Sequence, residues 1–471
     1  MGFKRSGTRA LVLVLAAVTW VGTAATVMLG APQQPTPAAS GAPTFSADVA
    51  PILYARCVTC HRPGEVAPMS LITYKDVRPW ASSIREKVMS RTMPPWHADR
   101  QYGTFRNEQS LTPNEIDTIV KWASAGAPEG DPSRMPALPK FPDGWQIGTP
   151  DVVLEMPTAY EIPAKGEIEY QYFSVPTNFT EDRWMQAGEV RAGDRAHVHH
   201  IIVYVQEPNP TARPSVMTNR PILSAASASP SGAASGTAPA AAPAPSPRPA
   251  VTQQAPRAAA PRSPVARTGD QMLVNWAVGE DAPMFLPGMA KRIPKGSVLV
   301  FQVHYTTNGT PGTDKSRIGL IFAKEPPARE VRTGMITNPL FAIPPGASNH
   351  EVAAEGTFTD DVRVWSLHPH MHLRGKDMTF TATYPDGRSE IVLRVPKFDF
   401  GWQTDYWLAK PLALPKGAKL SVTAHYDNSS ANRHNPDPAT TVRWGDQTWE
   451  EMMIGFFTYT VEGKSSAIAA R

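Results

Sequence analysis

The stretch that decides the fold is PKGSVLVFQVHY, residues 294–305, because it returns as PKGAKLSVTAHY at residues 415–426. In both copies the proline stands ten residues before the histidine of the closing His-Tyr pair. A cluster of histidines precedes each copy, His197–His200 in the first case and His368–His372 in the second. Self-similarity at this scale marks a repeated structural unit, so the chain is expected to contain two units that each carry histidines.

The residues around both copies predict strands. From about Trp145 onward, short β-branched segments are bounded by proline, glycine or asparagine, which is the pattern of an all-β protein. The clearest segments are 151–156, 170–175, 200–205, 298–305, 319–322, 362–368, 378–384, 391–395, 419–425 and 453–460. Pro326-Pro327 separates them into two groups, which predicts a first β unit at 145–325 and a second at 328–463.

Two stretches of biased composition predict linkers. Residues 31–43 form a Pro/Ala/Gln tether, and residues 224–267 are rich in serine, alanine, proline and arginine. A segment of the second kind cannot bury a core, so we expect a disordered insertion within the first β unit.

The N-terminus predicts export. Basic residues precede an apolar run from Ala10 to Leu29, which is the pattern of a secretory signal within residues 1–30. A run of ~20 residues is also long enough to remain as a membrane tether. The protein is therefore expected in the periplasm or outside the cell, cleaved or anchored by this segment. A net charge of +4 without a basic stripe gives no support for a nucleic-acid partner.

A Cys-x-x-Cys-His motif at Cys57, Cys60 and His61 is the attachment signal of c-type haem. The rival interpretations are a redox dithiol, which would need a βαβ setting, and a zinc site, which would need further nearby ligands. The chain has 2 cysteines and both lie in this motif. No thiolate remains for a disulfide framework or a blue copper site.

The sixth iron ligand is predicted to be Met93, because the proline pair after it would stiffen the loop that presents the thioether. A Met/His pair raises the haem potential and suits electron transfer. Met69 and His97 are the alternatives. Thr112 and Glu115 then predict a capping box at the start of a helix. Residues 44–140 resemble a small class I cytochrome c, which implies an all-α haem domain.

The two histidine clusters differ in geometry. Residues two apart on a strand share a face, so the three histidines within 368–372 should point the same way. Pro369 lacks a backbone N–H and predicts that this strand lies at the edge of its sheet. A regular strand would send His199 and His200 to opposite faces, so shared metal ligation there requires a bulge or a strand end.

Four motifs resemble those of the copper type II, ascorbate-dependent monooxygenases, the family of peptidylglycine α-hydroxylating monooxygenase and dopamine β-monooxygenase. In the order of that family they are His199–Val203, Phe301–Tyr305, His370–Gly375 and Glu450–Met452. The likeness covers about residues 145–461, interrupted by the insertion. It implies two antiparallel jelly-roll sandwiches with one copper site from each.

The resemblance also implies two ligand sets. They are His199, His200 and His304 for an electron-transfer copper, and His370, His372 and Met452 for the catalytic copper that binds oxygen. Imidazoles with a thioether form a soft set, which fits copper better than zinc. His425 is the repeat partner of His304 and is expected to be an extra or supporting group. His197, His350 and His434 are expected to be surface or strand-end histidines.

The sequence therefore predicts an exported copper-dependent monooxygenase that hydroxylates a C–H bond of an unidentified organic substrate with O2. One covalent haem c and two copper ions are the expected cofactors, with electrons supplied through the haem domain. Ascorbate or another periplasmic reductant is a further expected partner. His368 stands where peptidylglycine enzymes carry a basic residue, which disfavours a peptide carboxylate as substrate. Two alternatives stay open, a non-catalytic haem–copper electron-transfer or copper-binding protein and a cytochrome whose other histidines are incidental.

Overall fold

The computed structural model describes residues 41–63, 65, 67–141, 144–208, 217–222, 271–277 and 282–463. The predicted signal or anchor at 1–30, most of the 31–43 linker and the 224–267 insertion lie outside these residues. Within the part of the chain that is described, no helix is both long enough and apolar enough to cross a membrane.

The first part of the described chain, residues 41–141, is helical. It contains a π-helical turn, four α-helices and two 3-10 turns, which are Phe45–Val49, α1 Ala50–Arg56, α2 Tyr74–Val77, Arg78–Trp80, α3 Ala81–Met89, α4 Pro113–Ser124 and Pro132–Arg134. The predicted capping box is confirmed, because the Glu115 N–H donates to the Thr112 hydroxyl and the Glu115 carboxylate accepts the Thr112 N–H. Helix α4 buries Ile119 and Trp122 in the small hydrophobic core of the helical segment.

The rest of the chain is mostly β, which confirms that part of the fold prediction. The strands of its first half are β1 Val152–Glu155, β2 Tyr160–Ile162, β3 Gln171–Pro176, β4 Arg183–Arg191, β5 Val198–Gln206, β6 Met217–Ile222, β7 Met272–Ala277, β8 Met289–Ile293, β9 Val298–Tyr305, β10 Gly312–Asp314, β11 Arg317–Phe322 and β12 Arg329–Glu330. One sheet has the order β1-β11-β4-β8-β12 and a second the order β3-β9-β5-β7. Their facing sides enclose the core of the first unit.

The second half repeats this plan. Its strands are β13 Arg332–Thr337, β14 Ala342–Ile343, β15 His350–Phe358, β16 Val362–His370, β17 Gly375–Thr383, β18 Ser389–Val395, β19 Tyr406–Leu414, β20 Lys419–Tyr426, β21 Val442–Arg443 and β22 Ile454–Val461. Its sheets have the orders β13-β22-β16-β19 and β18-β17-β20-β15-β6. A second large hydrophobic core lies between them.

The two units exchange parts at their boundary. Strand β6 lies before the insertion in the first unit's sequence, yet it pairs with β15 and completes a sheet of the second unit. Strand β12 lies beyond Pro326-Pro327, yet it pairs with β8 of the first unit. The boundary at 325/328 therefore divides the sequence into two units. By their hydrogen bonds, however, β6 belongs to the second unit and β12 to the first.

The helical segment is docked on the second unit by the stretch from Trp96 to Asn107. Trp96 and Phe105 pack against Tyr406, with ring centroids 5.0 and 5.5 Å from it. The Asn107 side chain donates to the Asp405 carbonyl (2.7 Å) and accepts the Trp407 N–H (3.0 Å). These residues lie within the predicted 44–140 haem domain but contribute to the core of the second unit.

The units meet through one sheet from each, and this contact positions the site. We call β3-β9-β5-β7 the first interface sheet and β13-β22-β16-β19 the second interface sheet. Ile202 and Val300 on the first pack against Ile454 and Phe456 on the second. Because side chains alternate along a strand, the other residues on these faces also point into the contact. Four of them are His200, His304, His368 and His370.

Candidate metal centre

The first histidine set is assembled by a bulge. Strands β5 and β9 pair with Val198 opposite Tyr305 but His200 opposite His304, so the register shifts at His199. The extra residue turns the chain, and two adjacent imidazoles reach the same side of the sheet. Their Nδ1 atoms lie 3.0 Å apart. The bulge that shared ligation requires is therefore confirmed.

The triad of His199, His200 and His304 could hold a metal ion. One ligand nitrogen from each lies within 4.8 Å of the others. Two nitrogens bound to one ion at about 2.0 Å would lie about 3 Å apart, which matches the pair formed by the adjacent histidines. The Nδ1 atom of His304 is buried without a hydrogen-bond partner. A buried polar atom without a partner is costly, and an ion bound to the triad through this nitrogen would satisfy it.

Hydroxyl groups lie beside the Nε2 atoms of two histidines of the triad, His200 and His304. The Tyr170 hydroxyl lies 3.4 Å from His200 Nε2, and the Thr448 hydroxyl lies 3.4 Å from His304 Nε2. Each of these contacts suits a protonated Nε2 donating to the oxygen, which leaves the lone pair of Nδ1 for a metal. Thr448 belongs to the second unit, so both units orient the triad.

In the second histidine set, Nε2 rather than Nδ1 is the nitrogen that would bind a metal. The rings of His370 and His372 lie 5.4 Å apart between centroids. His370 Nδ1 is 2.5 Å from the Gln403 side-chain oxygen, and His372 Nδ1 is 3.1 Å from the Glu450 carbonyl. Both oxygens accept, so each imidazole carries its proton on Nδ1 and would bind a metal through Nε2.

Met452 is brought to the same place by a buried carboxylate. Glu451 accepts backbone N–H groups from His372 (2.8 Å), Arg374 (2.6 Å) and Met452 (3.3 Å). It thereby ties the segment of the His-x-His motif to the segment of the methionine. The Tyr426 hydroxyl donates to the Met452 carbonyl at 2.7 Å and fixes the backbone of Met452.

A cavity of about 20 Å³ lies between the two sets, and its wall includes His200, His370, His372 and Met452. We call it the inner cavity; its size suits one water molecule or ion. The six ligand residues implied by the family resemblance are therefore grouped at one contact between the units.

A much larger space adjoins the two histidine sets. This outer cavity has a volume of about 920 Å³, and His199, His304 and His372 form part of its wall. His372 thus borders both cavities. The volume is in the range of small-molecule sites in proteins.

Burial keeps the triad uncharged. It lowers the pKa of His199 to about 4, although Asp399 opposes this effect. It also lowers the pKa of His200 and His304 well below the usual value, and the neighbouring histidines add to the effect. Neutral imidazole is the form that binds metals. The fold therefore holds the triad ready for an ion at neutral pH.

The metal-free protein is expected to lose stability as pH falls below about 6.5. The unfolded chain binds protons at these histidines near 6.5, whereas the folded chain resists them down to about 4 at His199. Unfolding then takes up protons, so its free energy decreases as pH falls. Melting temperatures measured from pH 7.5 to 5 should show this decline. The His304→Gln variant should show a shallower decline, and an equally steep one would contradict the assignment.

The other histidines do not join either set. His197 is buried, and its Nδ1 lies 2.7 Å from Asp194 and its Nε2 3.1 Å from the Thr310 carbonyl. With both nitrogens engaged, it is a structural residue just before β5. His425 lies beside Asp377, with 2.7 Å between Nδ1 and the carboxylate, on the outer side of β20. His368 points into the contact between the units but lies 3.4 Å from Asp405.

The predicted edge position of Pro369 is wrong for the strand as a whole. Strand β16 lies between β22 and β19 in the second interface sheet. Its pairing with β19 ends at Leu367, opposite Tyr406, whereas pairing with β22 continues to His370. Pro369 lies beyond the end of the β19 ladder, so its missing N–H breaks no bond on that side.

The Cys-x-x-Cys-His motif forms a turn at the end of α1. Cys57 caps the helix, and its carbonyl accepts the His61 N–H at 2.9 Å. His61 Nδ1 lies 3.2 Å from the Met69 carbonyl. A His61 ring that donates there would keep Nε2 as the nitrogen able to bind an iron, so the motif is compatible with the haem, which stays a prediction. Met93 follows α3, and its role as the sixth ligand stays a prediction. His97 belongs to the docking stretch.

Several residues at the site were missed by the sequence interpretation. Tyr170, Phe400, Gln403, Thr448 and Glu451 all contact or orient the histidines. Glu451 lies next to Met452, and its position directly before the apolar run Met452–Ile454 was a usable signal. Gln403 and Phe400 come from a loop without a metal-binding pattern, so nothing in the sequence marked them.

Comparisons with known proteins add little. No family model matches the chain, and no curated protein matches it. A solved structure of a Paenibacillus xanthan lyase is similar at 10% identity and a TM-score of 0.14, over 73% of this chain and 29% of that one. The chain spans less than a third of that protein. A TM-score this low supports no argument about fold or function.

Proposed function

We propose that this protein is an exported copper-dependent monooxygenase that takes electrons from its own c-type haem domain. The reaction would convert a substrate C–H group, O2, two electrons and two protons into a C–OH group and water. In this proposal the helical segment is a small cytochrome c domain and each β unit is a jelly-roll sandwich. The proposal goes beyond what the geometry supports directly, which is a histidine triad that could hold a metal ion in a mostly β protein.

One observation carries the proposal. The His199, His200 and His304 imidazoles each offer one ring nitrogen within 4.8 Å of the others, while two imidazoles oriented through Nδ1 and a methionine border the inner cavity beside them. Two different ligand sets, one of nitrogens and one that includes a thioether, suit two copper ions in different roles. A structural zinc site would not require two such sets in contact.

The chain's own residues would position these groups. Gln403 and the Glu450 carbonyl fix the protonated nitrogens of His370 and His372, and Glu451 holds Met452 in register with them. Copper bound there would supply one-electron chemistry by changing between Cu(I) and Cu(II). The sheet contact excludes bulk water from this region, while the outer cavity gives a substrate room to approach.

A salt bridge supports the electron-supply part of the proposal. Glu65 follows the haem motif by four residues and pairs with Arg195, which precedes His199 by four residues. The same carboxylate also pairs with Arg62 at 2.8 Å. The loop that would carry the haem therefore contacts the loop that leads into the triad. This contact would place an electron donor beside the first metal set.

A second candidate is an electron carrier that binds haem and copper without turnover. The inner cavity favours it, because about 20 Å³ holds no organic substrate. The outer cavity favours an enzyme, because it borders ligands of both sets and is about 920 Å³ in volume. Oxygen uptake with a panel of organic substrates separates the two, since only the enzyme consumes oxygen in proportion to a substrate.

Metal analysis and rapid mixing test the proposal together. The purified protein is expected to bind two copper ions and to show the visible spectrum of one haem c. When the reduced protein is mixed with oxygen, haem reoxidation should be fast with copper and slow after copper removal. Reoxidation at the same rate with and without copper would refute the relay, and the absence of tightly bound copper would refute the enzyme.

A further inference from the structure

Phe400 lies among imidazoles of both ligand sets. Its ring stacks on His199 with centroids 5.3 Å apart and an angle of 21° between planes. It lies 5.5 Å from the His304 ring and 5.9 Å from the His372 ring. It is 6.3 Å from the His200 ring, which borders the inner cavity. One aromatic side chain therefore contacts four histidines drawn from two units.

The Phe400 ring lies on the outer-cavity side of the ligand sets. Phe400 forms part of the wall of the outer cavity, together with His199, His304 and His372. The inner cavity is bordered by His200, His370 and His372 and not by Phe400. His304 and His372 are only 5% and 1% exposed, although both belong to the outer wall. The Phe400 ring contacts both of them and contributes to this burial.

The loop that presents Phe400 is tied to the second ligand set. The Gln403 side chain donates to the Phe400 carbonyl at 3.2 Å, while its oxygen accepts from His370. The Asp399 carboxylate accepts the Gly401 N–H at 2.8 Å and closes the turn. The Phe398 N–H also donates to the Lys376 carbonyl at 2.7 Å, so the turn is held on both sides of Phe400. Because Phe400 lies between β18 and β19, its side chain can rotate without disturbing a strand.

We propose that Phe400 is a gate that controls the passage of small molecules from the outer cavity to both ligand sets. A substrate with an apolar or aromatic part would rest against this ring and reach the buried His304 and His372 only when the ring moves aside. The role of the metals in this inference rests on the function proposed above, whereas the covering of the histidines does not. In this proposal Phe400 controls access to the ligand sets and is not itself a metal ligand.

Carbethoxylation of histidines tests the gate without any metal. Diethyl pyrocarbonate acylates accessible neutral imidazoles, and peptide mass mapping of the full-length protein gives a rate for each histidine. In Phe400→Ala, His304 and His372 should react about tenfold faster than in the wild type, because local opening is no longer needed for access. The exposed His434, which borders the same cavity, is the internal reference and should not change.

Matched variants guard against misfolding. Phe398→Ala removes a ring from the same loop and the same cavity wall and should leave the rates of His304 and His372 near the wild-type values. Phe400→Leu keeps an apolar cover and should give an intermediate rate. Equal acceleration in Phe398→Ala, or no acceleration in either Phe400 variant, would overturn the gate.

A second measurement separates the gate from the proposed function. A chelator should extract copper from loaded Phe400→Ala about tenfold faster than from the wild type, in line with the carbethoxylation rates. If the wild type binds no copper, the proposed function fails while the carbethoxylation rates still decide the gate. If copper binds and leaves all variants at one rate, the gate fails and the proposed function stands.

Discussion

Replacing His372 with alanine is expected to remove one of two bound copper ions and to lower substrate-dependent oxygen uptake on the order of 10³-fold. His372 borders both the inner and the outer cavity, and its ring is held by the Glu450 carbonyl and covered by Phe400. Loss of this imidazole leaves His370 and Met452 as an incomplete ligand set. Metal analysis and oxygen uptake measure the two effects.

The matched control is His425→Ala, because His425 is the repeat counterpart of a ligand but pairs with Asp377 at the surface. It should retain two copper ions and nearly full uptake. Met452→Ala should behave like His372→Ala at the second set, while the copper of the triad remains. Retention of both copper ions in His372→Ala would show that the second set does not bind metal.

Replacing Glu451 with alanine is expected to destabilise the second unit by about 3–9 kcal/mol, since each of three buried N–H groups left without an acceptor costs about 1–3 kcal/mol. The carboxylate is 0% exposed and accepts three backbone N–H groups, from His372, Arg374 and Met452. Denaturant unfolding measures the loss. Copper at the second set should weaken in parallel, because the same contacts hold His372 against Met452.

Two further variants sharpen this prediction. Glu451→Gln keeps the shape and one acceptor oxygen but replaces the other with an amide that donates, so a smaller loss of stability is expected. Glu390→Ala removes an exposed carboxylate from β18 of the same unit and should change stability by less than about 0.5 kcal/mol. A neutral Glu451→Ala would mean that the three N–H groups find other acceptors.

Much of the framework could be predicted because local rules decide it. The capping box of α4, the ten strand segments named above and the need for a bulge or a strand end at His199 all follow from residue type and spacing. The bulge is a good example, since two adjacent histidines cannot share a face of a regular strand. The structure then shows the register shift at that residue.

The parts that could not be predicted depend on contacts far apart in sequence. Gln403 orients His370 across 33 positions, and Phe400 covers His199 across about 200. Neither belongs to a recurring pattern. The edge prediction for Pro369 failed for a related reason, because the length of the neighbouring strand β19, and not the proline itself, decides where the ladder ends.

The crossing of β6 into the second unit means that neither half of the protein is a continuous piece of the gene. A fragment that begins after Pro327 would lack the outermost strand beside β15 and would leave a row of unsatisfied backbone groups on that strand. An exposed strand edge of this kind can pair with other chains, so the shortened protein should precipitate or self-associate. Recombination between relatives would have to respect this interlocking, because a crossover at the apparent boundary would separate β15 from its partner.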